Sequence, residues 1–104
     1  MKSHRNHIVI EKWKRGQPAI NHRRSLASVF RPDGSADLDS YDLKIGHRTA
    51  GGACIVANFT APGGGFRSMT TSQHVNLAKK VGSWPVVMHP LVWVESPLCE
   101  KKPF

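Results

Sequence analysis

The residues best suited to chemistry in this sequence are its cations. Lys12-Trp13-Lys14-Arg15 interleaves an indole with three positive charges, a pattern that suits a base stacked on the ring while its neighbours hold phosphates. A core aromatic is the competing reading of Trp13, since large rings contribute more to a small core than to a surface. Arg23, Arg24 and Arg31 extend the series. Arg67 closes a glycine run, Gly63-Gly64-Gly65, just ahead of a helix start, where free N–H groups attract anions. A nucleotide loop is not met, because a Walker sequence needs a lysine that is missing here and Ser68 stands where the last glycine of a dinucleotide fingerprint would fall. The run reads first as a flexible loop, and any phosphate it touches through Arg67 belongs to a nucleic-acid backbone.

Other chemistries lack their parts. His74 follows Thr70, Thr71 and Ser72, so hydroxyl partners are at hand, but no carboxylate pair or orienting acid accompanies them. A core or cap histidine is the favoured reading. Cys54 and Cys99 are solitary, without a C-x-x-C pair, and His4 and His7 share a three-residue spacing on a segment with no helical pattern. Zinc needs convergent ligands that this spacing does not supply. Cys54 reads as a small core residue. The expectation is a chain with no enzymatic activity, no cofactor and no metal.

The distribution of charge supports an anionic partner. Fifteen Lys and Arg face seven Asp and Glu, a formal +8, and the excess is not spread evenly. Residues 1–31 hold eight basic groups against Glu11 alone, +7, whereas residues 32–104 hold seven against six. Like charges repel and weaken a compact state, so their crowding points to a polyanion whose counterions they displace. A solvated, solubilising face is the plainer alternative. No apolar run reaches the ~18 residues of a membrane span, no secretory leader is recognisable, and no amphipathic helix is seen to seat the basic segment on lipid. Two cysteines suit a reducing interior, so the expected location is cytoplasmic.

These residues must be positioned by one domain, because 104 residues and 11.5 kDa allow no more. His7–Lys14, with its β-branched core, reads as a strand, Gly16-Gln17-Pro18 breaks it, and Arg24–Arg31 reads as a second strand, the alternative being a short helix with Leu26, Val29 and Phe30 facing inward. Residues 1–31 thus form a basic strand-turn-strand arm, ended by the Arg31-Pro32-Asp33-Gly34 turn. Asp33, Asp37, Asp39 and Asp42 form an acidic cluster that either folds back on the arm or is a loop. Tyr41–Arg48 and Ala53–Thr60 read as a hairpin around Gly51-Gly52, and Phe66–Met69 as a short strand. Thr70–Val81 is the single helix, with a Thr70/Gln73 capping box, an apolar stripe of His74, Leu77, Ala78 and Val81, and Gly82 as its left-handed stop. Pro85–Met88 and Leu91–Val94 read as extended chain with a kink, in the style of an edge strand.

Ser40-Tyr41-Asp42-Leu43-Lys44-Ile45-Gly46 and Ser68-Met69-Thr70-Thr71-Ser72-Gln73-His74 together resemble small uncharacterised proteins of phages and mobile elements, over residues 40–80. The resemblance implies a viral or mobile-element accessory protein and no particular activity. The resulting expectation is an α+β domain, residues 1–104, in which a small, mainly antiparallel sheet is packed by one helix at about 70–81. Its function reads as non-enzymatic nucleic-acid binding, mainly to phosphates, through Lys12, Trp13, Lys14, Arg15, Arg23, Arg24, Arg31 and Arg67. The alternatives are an inhibitor or adaptor docking its basic face on an acidic host protein, and a minor virion component.

Overall fold

A computed structural model describes residues 3–60, 68–82 and 84–96. Seven strands form one sheet in the order of the chain: β1 (Ser3–His4), β2 (Ala19–Asn21), β3 (Leu26–Phe30), β4 (Ala36–Ser40), β5 (Leu43–Arg48), β6 (Cys54–Ala57) and β7 (Val86–Met88). The pairings from β2 to β6 are antiparallel, whereas β1–β2 and β6–β7 are parallel. Each parallel pair needs a crossover, which antiparallel neighbours do not. Helix α1 (Asn6–Lys14) supplies the first and α2 (Met69–Lys80) the second, and a short α3 (Pro90–Glu95) follows β7. The α+β class holds, but the sheet is mixed and larger than expected, and among the described residues three helices accompany it.

Four antiparallel reversals between β2 and β6 return the chain to its starting direction. The two crossovers therefore advance the same way along the sheet, and the right-handed rule puts both helices on one face. Packing agrees. Trp13 of α1 lies over Gly46, whose face also carries Leu38 and, by alternation along β4, Ser40. The α2 side chains of Thr71 and His74 bond to that same Ser40. The core lies between, built from Val9, Ile10 and Trp13 of α1, Val75 and Ala78 of α2, and Leu26, Ala36, Leu38 and Val56 of the sheet.

The first correction is α1. The segment read as a strand from its β-branched Ile8-Val9-Ile10 is helical because Val9, Ile10 and Trp13, at helical spacing, are all fully buried. Burial of one helical face outweighs the few tenths of a kcal/mol by which β-branched residues disfavour a helix. The basic strand-turn-strand arm consequently does not exist as such; it is β1-α1-β2 followed by β3. The acidic stretch is not a loop either, since Ala36–Ser40 is a strand between β3 and β5. Leu91–Val94 belongs to α3, started by Pro90 at its first turn and capped by the His89 ring, which accepts from the Leu91 N–H at 3.1 Å.

Other elements match the pattern. The β5–β6 hairpin pairs Gly46 with Val56 and Arg48 with Cys54. Helix α2 begins two residues early, with Ser68 rather than Thr70 at the cap, its hydroxyl accepting from Thr71 N–H at 3.0 Å. Gly82 follows it at φ +73°, the left-handed conformation that glycine adopts without cost. Beyond it, Trp84, Val86, Leu91 and Val92 are exposed along the β7–α3 edge.

A Cβ on Gly46 would stand 2.9 Å from Trp13 Cζ2 and 3.2 Å from Leu38 Cβ, atoms held in the core and unable to swing aside. Gly46→Ala is expected to lower stability by about 1–3 kcal/mol through overpacking, read as a shift in the urea midpoint at unchanged slope. An unchanged midpoint would show that α1 is not seated on β5 through Trp13.

Candidate phosphate-binding cleft

The cations of the first third do not act as one group. Arg31 is 5 % exposed, and its Nε donates to Asp37 Oδ2 at 2.9 Å while Nη2 pairs with the same oxygen. Lys44 Nζ lies 2.9 Å from Asp37 Oδ1, and His47 Nδ1 lies 3.0 Å from it. Asp37 stands opposite His47 in the β4–β5 register, on the sheet face away from α1 and α2. Burial alone would raise its pKa, but hydrogen bonds from His47, Arg31 and Lys44, with the charge of Lys44, outweigh this and hold the carboxyl well below its usual range. Arg31 is thus a structural partner, and its expected nucleic-acid role is withdrawn.

Trp13 is withdrawn too. It is fully buried, its indole N–H donating to Ala36 O at 3.1 Å, so no base can reach its face. Lys14 turns its ammonium onto Val81 O at the C-terminal end of α2, and Arg48 Nε donates to Lys14 O at 3.0 Å. Cations there meet the negative ends of both helix dipoles. Lys12 is half-buried and Arg15 exposed at this same C-terminal end of α1. Arg67 and the Gly63–Gly65 run lie outside the described residues, as does Cys99.

Arg23 and Arg24 are at the other end, with residues the sequence did not single out. A cavity of about 270 Å³ opens between β1, the β2–β3 turn and the first turns of α1 and α2. Arg5, His22 and Arg23 are exposed at its rim, whereas Asn21, Ser25 and His74 are buried beneath. None of its lining residues is acidic. Helix α1 starts at Arg5 without a side-chain cap, and neither long helix has an acidic residue in its first turn. Because α1 and α2 run in the same direction, both positive dipole ends face this region, where anions are favoured.

Asn21 holds the turn in place. Its Oδ1 accepts from Ser25 N–H at 2.8 Å and Leu26 N–H at 3.1 Å, while Nδ2 donates to Ser25 Oγ at 2.9 Å and to Asn6 Oδ1 at 2.8 Å. The last of these ties the turn to the first residue of α1. Arg24 N–H donates to Asn21 O at 3.1 Å, and Arg24 itself sits at φ +57°, a conformation costly for a side chain with a Cβ. Ser3 Oγ lies 2.7 Å from His22 Nδ1, which orients that ring. At the floor, His74 Nδ1 is 2.8 Å from Ser40 Oγ, itself 3.0 Å from Thr71 Oγ1. Burial lowers the His74 pKa, so this ring stays neutral where an exposed histidine would begin to charge.

Arg5 carries no sequence motif, its only early signal being membership of the basic first third, and His4 stood out only for its spacing to His7. Arg24 lines an adjoining cavity with Ser3, Ile20, Asn21 and His22, so the turn presents cations to both sides. No protein-family model, curated protein or solved structure matches the chain. Among the described residues, no helix is long and apolar enough to cross a membrane.

Asp37→Asn removes the carboxylate that Arg31, Lys44 and His47 share. It is expected to destabilise the fold at pH 7 by about 3–5 kcal/mol, the range for stranding buried charge. The folded carboxyl lies below its ordinary value of 3.8, so its contribution is complete above that pH. It is lost as acidity rises from there towards the folded pKa, because the unfolded chain takes up the proton first. Urea unfolding at pH 7 and pH 3 should show that acid-linked loss in the parent and a smaller one in the variant. Equal losses would remove Asp37 as its source.

Proposed function

We propose that this chain is a small, non-enzymatic nucleic-acid-binding accessory protein, of the phage or mobile-element kind its motifs resemble, that holds its partner mainly by phosphates. The observation that carries the reading is the cleft: Arg5 and Arg23 at its rim, two helix N-termini directed towards it, and no carboxylate in its lining. Arginine suits phosphate because its planar fork gives paired hydrogen bonds. The site differs from the one expected at Lys12–Arg15, since it is centred on Arg5, Arg23 and Arg24 with Lys12 and Arg15 a helix-length away, about 10–15 Å. Enzymatic chemistry is not part of the proposal: Ser40 and His74 lie in contact, yet both are about 1 % exposed, leaving a substrate no approach to the hydroxyl.

A retardation assay with random-sequence oligonucleotides at ~50 and ~200 mM salt tests it. With about four phosphates engaged, affinity should fall roughly a hundredfold across that range. Combined Arg5→Glu, Arg23→Glu and Arg24→Glu should abolish the shift, whereas Lys12→Glu with Arg15→Glu should weaken it only modestly. Salt-independent binding, or a larger loss from the second pair, would overturn the proposal.

A further inference from the structure

The shape of the cleft bears on which phosphate it takes. An internal phosphodiester enters and leaves along a strand, so it lies across a surface and offers two free oxygens. A terminal phosphate ends the chain, offers three oxygens and a second negative charge, and can be inserted end-on. The cleft has a rim and a floor. Its floor is made of Asn21 at 4 %, Ser25 at 4 % and His74 at 1 % exposure, beneath the exposed Arg5 and Arg23. A strand passing over the rim would meet only the guanidinium groups, while a protruding phosphoryl group would reach down towards the first turns of α1 and α2.

Size and donor supply point the same way. At about 270 Å³ the cavity falls just below the ~300 Å³ at which small-molecule pockets usually begin, room for a phosphoryl group and its sugar. Two guanidinium groups bring five N–H donors each, and the Thr70 hydroxyl and Gln73 amide belong to the same lining. Such a supply can serve all three oxygens of a monoester, where a diester presents two. The lack of lining carboxylates matters most for a dianion, which a single acid would repel about twice as strongly as a monoanion.

From this geometry we infer that the cleft between β1, the β2–β3 turn and the starts of α1 and α2 is a receptor for a terminal phosphomonoester of a nucleic-acid strand. The inference rests on the nucleic-acid reading above and narrows it. Arg5 and Arg23 clamp the phosphoryl oxygens, and Asn21 holds the turn that carries Arg23 against the first residue of α1.

The test measures fluorescence anisotropy of one labelled single-stranded oligonucleotide in three forms: 5′-phosphorylated, 3′-phosphorylated, and with hydroxyl groups at both ends, the label being internal. At ~150 mM salt, one phosphorylated form should bind at least tenfold more tightly than the hydroxyl form, and the arm that does so identifies which end is read. Inorganic phosphate should compete for that increment. Arg23→Ala and Arg5→Ala, both at exposed positions, should each remove the increment, while Lys12→Ala should retain it. Equal, salt-dependent binding of all three forms would overturn the terminal-phosphate inference and leave nucleic-acid binding standing. Failure of every form to bind would overturn both.

Discussion

Two helices lying side by side in the same direction on one face of a sheet set the electrostatics of this molecule. Parallel dipoles do not cancel as those of an antiparallel pair would, so one end of the helical layer is positive and the other negative. The arrangement follows from the topology: β1-α1-β2 and β6-α2-β7 are both crossovers between parallel strands, and an even number of hairpin reversals separates them. Once the right-handed rule applies to each, the helices have no choice of face or direction. The negative end is met within the chain. Lys14 caps α2 at Val81 O, Arg48 caps α1 at Lys14 O, and Lys79 and Lys80 occupy the last turn of α2.

The positive end is treated differently. Ser68 gives α2 a cap, but α1 begins at Arg5 without one, and no acid occupies either first turn. Cations have instead been added where the dipoles are already positive. Such a choice costs stability through repulsion, and a domain with a core this small has little stability to spare. The same logic separates Arg31 from its neighbours in sequence. Its charge is cancelled in place by Asp37 on the other face of the sheet, so it adds nothing to the field at the cleft. The cations described in residues 3–31 therefore fall into three populations: Arg31 is neutralised, Lys12, Lys14 and Arg15 lie at the C-terminal end of α1, and Arg5, Arg23 and Arg24 face solvent in or beside the cleft.

The sequence made some of this legible and concealed the rest for physical reasons. The β5–β6 hairpin and α2 are governed by local signals: alternation, a glycine turn, a hydroxyl cap and Gly82 as a stop. Helix α1 is not. His-Ile-Val-Ile is strand-like by propensity, and the Lys12/Trp13/Lys14 alternation fits either period. What decides is the seat of Trp13 over Gly46 and its bond to Ala36, contacts more than twenty residues away. The same distance hid β1 and the parallel pairing of β7, reached only through a helix, although Pro85–Met88 already read as an edge strand. The cleft was half visible: Arg23 and Arg24 stood out by charge, but Arg5, Asn6, Thr70 and Gln73 join them only when α1 and α2 begin at the same end of the sheet.

The β2–β3 turn shows how much of that site is fixed before any ligand arrives. Arg24 occupies a left-handed conformation that a glycine would hold at lower cost, and Asn21 spends both ends of its amide on Ser25, Leu26 and Asn6. A turn whose only task was to reverse the chain would not need an arginine there, nor a buried side chain tying it to the neighbouring helix. Locking the backbone means that an anion entering the cleft orders side chains alone, and less of its binding energy is lost to ordering the loop. Conformational strain at Arg24 and the uncapped start of α1 are thus two local departures from the most stable choice at one end of the molecule, and both leave positive charge exposed in a fixed place. Departures of this kind concentrate at sites that bind, which is why the cleft, rather than the longer run of cations at Lys12–Arg15, carries the functional reading.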